Sequence, residues 1–355
     1  MSKFSIGQPR RTISAHRRAA NIGLLSAILA FALALGGEAG AQNEKSWSEV
    51  APAAKSEGKL VVYMSTGAQT LDEIFRRFEA RYGVEVVVVR SASNAATRER
   101  IRSEQTAGKF LGDIIATGST IRALIPLGQV EKHGALPNIG KIRPPAIDDG
   151  YFVPYTLLPH GLIVNTNAVS AAERPRSWSD LLDPKWRGKI IAEDPRAAGP
   201  GNVTWSVLYD RLGRDYIDKL AKQDLTWNTG GPLGIRRVAQ GEFSMLLGAN
   251  LSGLFTAQGL PVEGHVPSEG APMVENVAGP LKNTPHPNAT RLFLNFLLED
   301  EAQQVLADQG LWSVTGHTST KTPENMRSVQ NISWAGTVGP ERMDEMIAIF
   351  KEATR

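Results

Sequence analysis

The sequence predicts an α/β fold made of two successive units with largely parallel sheets, and three observations carry that prediction. Between residues 59 and 116, three apolar runs alternate with two stretches at helical spacing, the pattern of strands joined by crossover helices. A second α/β alternation covers about 160–265, reached through extended passages at 151–155 and 160–165. The chain has 355 residues and no cysteine, so no disulfide can hold it, and its length exceeds what one core usually serves.

The N-terminal segment is set apart first. Residues 1–21 carry Lys3, Arg10, Arg11, Arg17 and Arg18 and no acid, and an apolar run (IGLLSAILAFALAL) fills 22–35. Ala39 and Ala41 then occupy the −3 and −1 positions of a cleavage site before Gln42. This is the order of a secretory signal peptide over 1–41, cleaved after Ala41. The alternative is an uncleaved anchor, for which the run is short against the roughly 20 residues that span a bilayer. Arg10-Arg11-Thr12-Ile13 also resembles a twin-arginine export signal. The expected location is the periplasm.

Residues 1–41 hold five of the 39 basic and one of the 36 acidic residues, leaving 34 against 35 and a formal net charge of −1. That balance removes the basic footprint of a nucleic-acid binder.

Residues 47–57 read as a helix, and 59–63 as a buried strand ended by Ser65-Thr66-Gly67. Over 70–82, Leu71, Ile74, Phe75 and Phe78 fall at helical spacing, with Thr70 as the expected cap. A strand at 84–89 runs into Ser91-Ala92-Ser93-Asn94, a helix follows at 95–107, and a strand at 113–116 is closed by Thr117-Gly118-Ser119. Singly these turns are ordinary loop chemistry. At three successive strand ends of an open α/β sheet they mark a ligand crevice.

In the second unit Ser177 begins a short helix, and a strand at 189–192 enters "AEDPRAAGPGNVTW", residues 192–205. Gly199 and Gly201 flank Pro200 there, ahead of a helix led by Asn202 or Thr204. Free N–H groups at such a helix start attract anions, and the alternative is a plain strand-to-helix turn. A strand at 244–247, a Gly- and Pro-rich return over 264–287, and helices at 290–308 and 341–354 complete the chain. No G-x-S-x-G, H-E-x-x-H or phosphate-loop motif occurs, and His133, His160, His265, His286 and His317 are scattered. A non-enzymatic protein without cofactor or metal is expected; a secreted hydrolase finds no support in the sequence.

"GKLVVYMSTG", "RIRSE" with Asp113 downstream, "PRSWSDLLDPKWRGKI", "AEDPRAAGPG", "QGEFSMLL" and "ATRLFLNFLLEDEAQQVLADQG" resemble the type-2 periplasmic solute-binding proteins of ABC importers, most of all the ferric-iron-binding branch. The resemblance runs from about Trp47 to about Gly316. It implies two α/β domains joined by two crossing hinge strands, with ligand held between them and presented to an inner-membrane ABC permease. Carried onto this chain, the lobes are 42–153 with 272–316 and 160–265 with 317–355, and the hinges lie near 153–159 and 265–273.

The resemblance also implies paired tyrosines for iron, and this chain departs from it. Leu251 and Ser252 stand where they would be, Gly67 or its neighbour replaces a histidine, and no two tyrosines are adjacent. The family's separate anion site is kept: the loop at 198–202, and asparagines at Asn228 and Asn250.

The expected ligand is therefore a small anionic or polar organic solute, such as a carboxylate, phosphonate or sugar phosphate, bound by a monomer. Ser65, Thr66, Gly67, Ser91, Ser93, Gly118 and Ser119 would line one side of the cleft. Gly199, Gly201, Asn202, Asn228, Thr229, Gly230 and Asn250 would line the other. Tyr155 at the first hinge is a wall residue or core packing. Arg196 holds the ligand, or pairs with Glu193 or Asp194. Ferric iron with other ligands and a sensor partner are the alternative functions.

Overall fold

The computed structural model describes residues 47–65, 69–196 and 199–353. The expected signal peptide, Thr66 and Gly67 lie outside them. No helix among the described residues is long and apolar enough to cross a membrane.

Helix α1 (Trp47–Glu57) precedes β1 (Lys59–Ser65), which pairs in parallel with β2 (Glu85–Ser91) on one side and β3 (Ile114–Gly118) on the other. The crossovers are α2 (Asp72–Tyr82) and α3 (Asn94–Thr106). Ile74, Phe75 and Phe78 form the buried face of α2. Gly83 ends that helix at φ 68°, its N–H bonded to the Glu79 carbonyl, as a left-handed cap permits. Thr70 is not the cap: a 3-10 turn over Gln69–Leu71 leads in, and Leu71 holds the N-cap position without a side-chain bond. Asp113 sits just ahead of β3, fully buried. Its carboxylate accepts from Val61 N (2.7 Å), Thr284 Oγ1 (2.6 Å) and His286 N (2.9 Å) and meets His286 Nδ1 at 2.8 Å.

The two extended passages are one 13-residue strand, β4 (Val153–Asn165). The second lobe continues with β5 (Ile190–Glu193), α4 (Pro200–Leu212), α5 (Arg214–Ala221), β6 (Thr226–Asn228), α6 (Gly231–Ala239), β7 (Met245–Asn250) and β8 (Val262–His265). The Gly- and Pro-rich return contains a ten-residue strand, β9 (Ala271–Pro280). The helix expected at 290–308 is two, α7 (Pro287–Phe296) and α8 (Asp300–Asp308). Short strands β10 (Trp312–Ser313) and β11 (Trp334–Gly336) precede α9 (Pro340–Ala353).

The first half of β4 pairs antiparallel with β9 and the second half with β7 and β8, while β5 lies parallel to both β6 and β7. The path β2-β1-β3-β9-β4-β7-β5-β6 gives each lobe the same plan. A parallel trio (β2-β1-β3 or β6-β5-β7) is followed by a strand arriving from the other lobe. This is a two-lobed α/β fold joined by two crossing strands. At the crossing, Gly161 must be glycine, because a Cβ there would lie 2.9 Å from the His265 carbonyl oxygen.

The largest core cluster runs from the first lobe to one face of the second-lobe sheet, and a separate cluster packs the other face of that sheet. In the first, the Phe293 ring of α7 stacks at 5.5 Å on Phe75 and meets Phe78 edge-on at 5.1 Å. In the second, Trp178, Trp186 and Trp205 are buried, and Phe350 of α9 packs against Trp205 at 4.9 Å.

Candidate functional site

Strand register brings the ends of both parallel trios to the crossing. Gly118, the last residue of β3, lies opposite Asn276 in the middle of β9. Asn250, the last residue of β7, lies opposite His160, where β4 enters the second lobe. The carboxyl ends of β1, β2 and β3 therefore face those of β5, β6 and β7 across the crossing strands, the edge at which open α/β sheets bind ligands.

On the first-lobe side, Ser65 and Ser91 are register neighbours and half-buried. Neither hydroxyl has a hydrogen-bond partner among the described residues. Ser93 instead caps α3, accepting from Ala96 N at 3.2 Å. A Cβ at Gly118 would make ordinary contacts, 3.9 Å from both Asn276 Oδ1 and Val274 Cγ1. Ser119 opens the 3-10 turn that follows β3. Two further amides belong to this edge. Asn94 accepts a 2.5 Å bond from Thr117 Oγ1, and Asn276 is half-buried with no partner among the described residues. Asn276 escaped the sequence because its segment reads as loop.

On the second-lobe side most of the expected contacts are committed within the fold. Asn202 is completely buried, and its Nδ2 donates to the Pro195 and Met343 carbonyls, each at 2.9 Å. It ties the loop to α9 rather than presenting an amide to a ligand. Gly201 serves close packing, since a Cβ would stand 2.6 Å from the Glu193 carbonyl. Gly199 is the N-cap of α4 in extended backbone and borders open space. Arg196 pairs with Asp194, its Nε donating at 2.9 Å to Oδ1 and its Nη2 at 2.6 Å to Oδ2, and lies over the Trp227 ring. Asn250 caps the 3-10 turn after β7, accepting from Ser252 N and Oγ at 3.0 and 2.9 Å. Thr229 is exposed, and Gly230 is the N-cap of α6. Tyr155 is 1% exposed inside the main core, which decides its alternative for packing.

Asn228 reveals a residue that the sequence left unweighed. Its Nδ2 donates to Gly230 O at 3.0 Å and to Glu193 Oε1 at 2.8 Å. Glu193 ends β5, lies opposite Asn228 in register, and is 5% exposed. Burial raises its carboxyl above the ordinary 4.5; the Asn228 bond opposes the rise and the Asp194 charge adds to it. The amide that the resemblance assigns to a ligand anion already holds an anion of the chain. Glu275, the other acid near the crossing, is paired with Arg122 Nη1 at 2.8 Å and accepts from Ile147 N at 3.1 Å.

Among the described residues, no group of three or more His, Asp or Glu is placed to hold a metal.

Known proteins share this architecture. An uncharacterized protein of Haemophilus influenzae is 25% identical over 290 residues, covering 77% of this chain and 83% of its own. Iron-bound HitA from Pseudomonas aeruginosa is similar at a TM-score of 0.67 and 18% identity, over 83% of this chain and 98% of its own. AfuA from Actinobacillus pleuropneumoniae, with fructose-6-phosphate bound, is similar at a TM-score of 0.61 and 23% identity, over 83% and 98%. These two likenesses carry the fold and leave the ligand open. The family model described as bacterial extracellular solute-binding protein matches residues 60–311, most of the chain, and with this strand plan the chain belongs to that family.

Proposed function

We propose that this chain captures a small polar organic solute between its lobes and delivers it to an ABC permease. Members of the family bind small solutes and work with such permeases. The observation that carries the reading is the convergence of two sets of strand ends, with Gly118 beside Asn276 and Asn250 beside His160. Ser65 and Ser91 supply uncommitted hydroxyls on the first lobe, and Asn276 an uncommitted amide. On the second lobe, the first-turn N–H groups after Gly199 suit an acidic group of the solute. The crossing strands would bend as a hinge, and the lobes would close on the ligand. We further propose lobes of 42–153 with 272–316 and 160–265 with 317–355, a monomeric state and a periplasmic location.

The test is a thermal-shift screen of the purified protein against small acids, amines, sugars, sugar phosphates and ferric iron. A bound solute raises the melting temperature by mass action. Scattering of the same sample should show a smaller radius of gyration as the lobes close. Stabilisation by ferric iron with an intense visible tyrosinate band would overturn the organic-solute reading. The leucine and serine at 251 and 252 oppose that outcome.

A further inference from the structure

We propose that the solute presents a protonated nitrogen to Glu193, so that the cleft selects amine- or amidine-bearing solutes over nitrogen-free ones. The proposal rests on the solute-binding reading above and names the chemistry of one end of the ligand.

The molecule shows how it treats buried carboxylates elsewhere. Asp113, fully buried, is saturated by three hydrogen-bond donors and a histidine ring. Glu275, as buried as Glu193, has the Arg122 guanidinium and a backbone N–H. Glu193 has one neutral amide on Oε1, and Oε2 has no partner among the described residues. It pairs with no lysine, arginine or histidine among them. The guanidinium nearest in sequence, Arg196, is held by Asp194. A buried carboxylate without a cation is costly, and supplying the cation recovers much of that cost.

Position makes the missing cation a ligand group. Glu193 stands at the carboxyl end of the central strand of the second lobe, on the edge that faces the first lobe. Its Oε1 lies 4.0 Å from where a Cβ at Gly231 would stand, so the carboxylate occupies the space before α6. An external anion seated at Asn228 would meet this charge at close range. A hydroxyl could donate to Oε2 but would bring no charge, and charge-assisted bonds are about twice as strong. An acidic group of the same solute is compatible with the cleft if it lies toward Gly199, away from Glu193.

The experiment compares matched probes on the purified protein by thermal shift and calorimetry. The nitrogen-bearing set is putrescine, 4-aminobutanoate, β-alanine and glucosamine; the nitrogen-free set is butanediol, butanoate, propionate and glucose. At least one nitrogen-bearing probe is expected to stabilise the protein where its counterpart does not. Glu193→Gln should weaken that probe about tenfold or more, while the variant without probe melts at or above the wild type. Glu193→Asp, which keeps the charge one methylene back, should retain the preference for the amine. If a nitrogen-free probe stabilises as well as its partner, or Glu193→Gln keeps the amine affinity, the inference falls and solute binding stands. If no probe in this set and no solute in the wider screen binds, both fall.

Discussion

Asn202 and Gly201 stand side by side at the start of α4, and both act on the chain itself. Removing the Asn202 amide takes the side-chain donor from the Pro195 carbonyl and cuts the tie to the Met343 carbonyl of α9. Asn202→Ala should therefore lower the unfolding free energy by at least about 2 kcal/mol in urea denaturation. Loss of ligand affinity with unchanged stability would instead return Asn202 to the ligand. Gly201 carries the same lesson, because any side chain there collides with the backbone of Glu193 and Asp194. Neither role is visible locally. "GPGN" reads as an anion cradle until Met343, 141 residues away, supplies the partner. Glu193 is the converse case, a plain acid in the sequence that burial turns into the most consequential charge of the site.

At the scale of elements, β4 is the part on which both lobes depend. His160 marks the point where it passes from β9 to β7, and the ring is 1% exposed with no partner for Nδ1 among the described residues. Burial drives its pKa down from 6.5 to about 4. The unfolded chain then binds the proton more readily than the fold, so stability is present at neutral pH and is lost as pH falls from about 6.5 through about 4. That loss should approach about 3 kcal/mol, an order-of-magnitude figure from the shift. Urea midpoints taken from about pH 7 to about pH 4.5 should fall more steeply for the wild type than for His160→Gln. Parallel curves would show that the ring is not buried neutral. The sequence marked 151–155 and 160–165 as extended, since short apolar runs are a local signal. It missed β9, because scattered Gly and Pro disguise a strand whose pairing is supplied by β3 and β4.

For the whole molecule, the C-terminal helix is what completes the second lobe. Phe350 packs on Trp205, Met343 takes the Asn202 amide, and Arg342 pairs with Asp210 at 2.8 Å. All three contacts reach α4, the helix that leads out of the candidate site. Phe350→Ala should cost about 3–5 kcal/mol. Hydrogen exchange should show the loss in α4, α9 and β5 while the first lobe keeps its protection. An equal loss in both lobes would mean that the two lobes unfold as one unit.

The α/β class, the order of most elements and the gathering of small polar turns at strand ends were all legible in one dimension. They follow from apolar periodicity and turn chemistry, whose range is a few residues. The family was legible too, and so was the loss of the iron tyrosines. Which polar groups stay free for a ligand was not. That depends on hydrogen-bond partners brought from distant segments, and folding assigned Asn202, Asn228 and Arg196 to the protein while leaving Ser65, Ser91 and Asn276 without partners among the described residues. A chain can be read for where its strands end; only packing in three dimensions determines which charge is left without a counterion at those ends. Here that charge is Glu193.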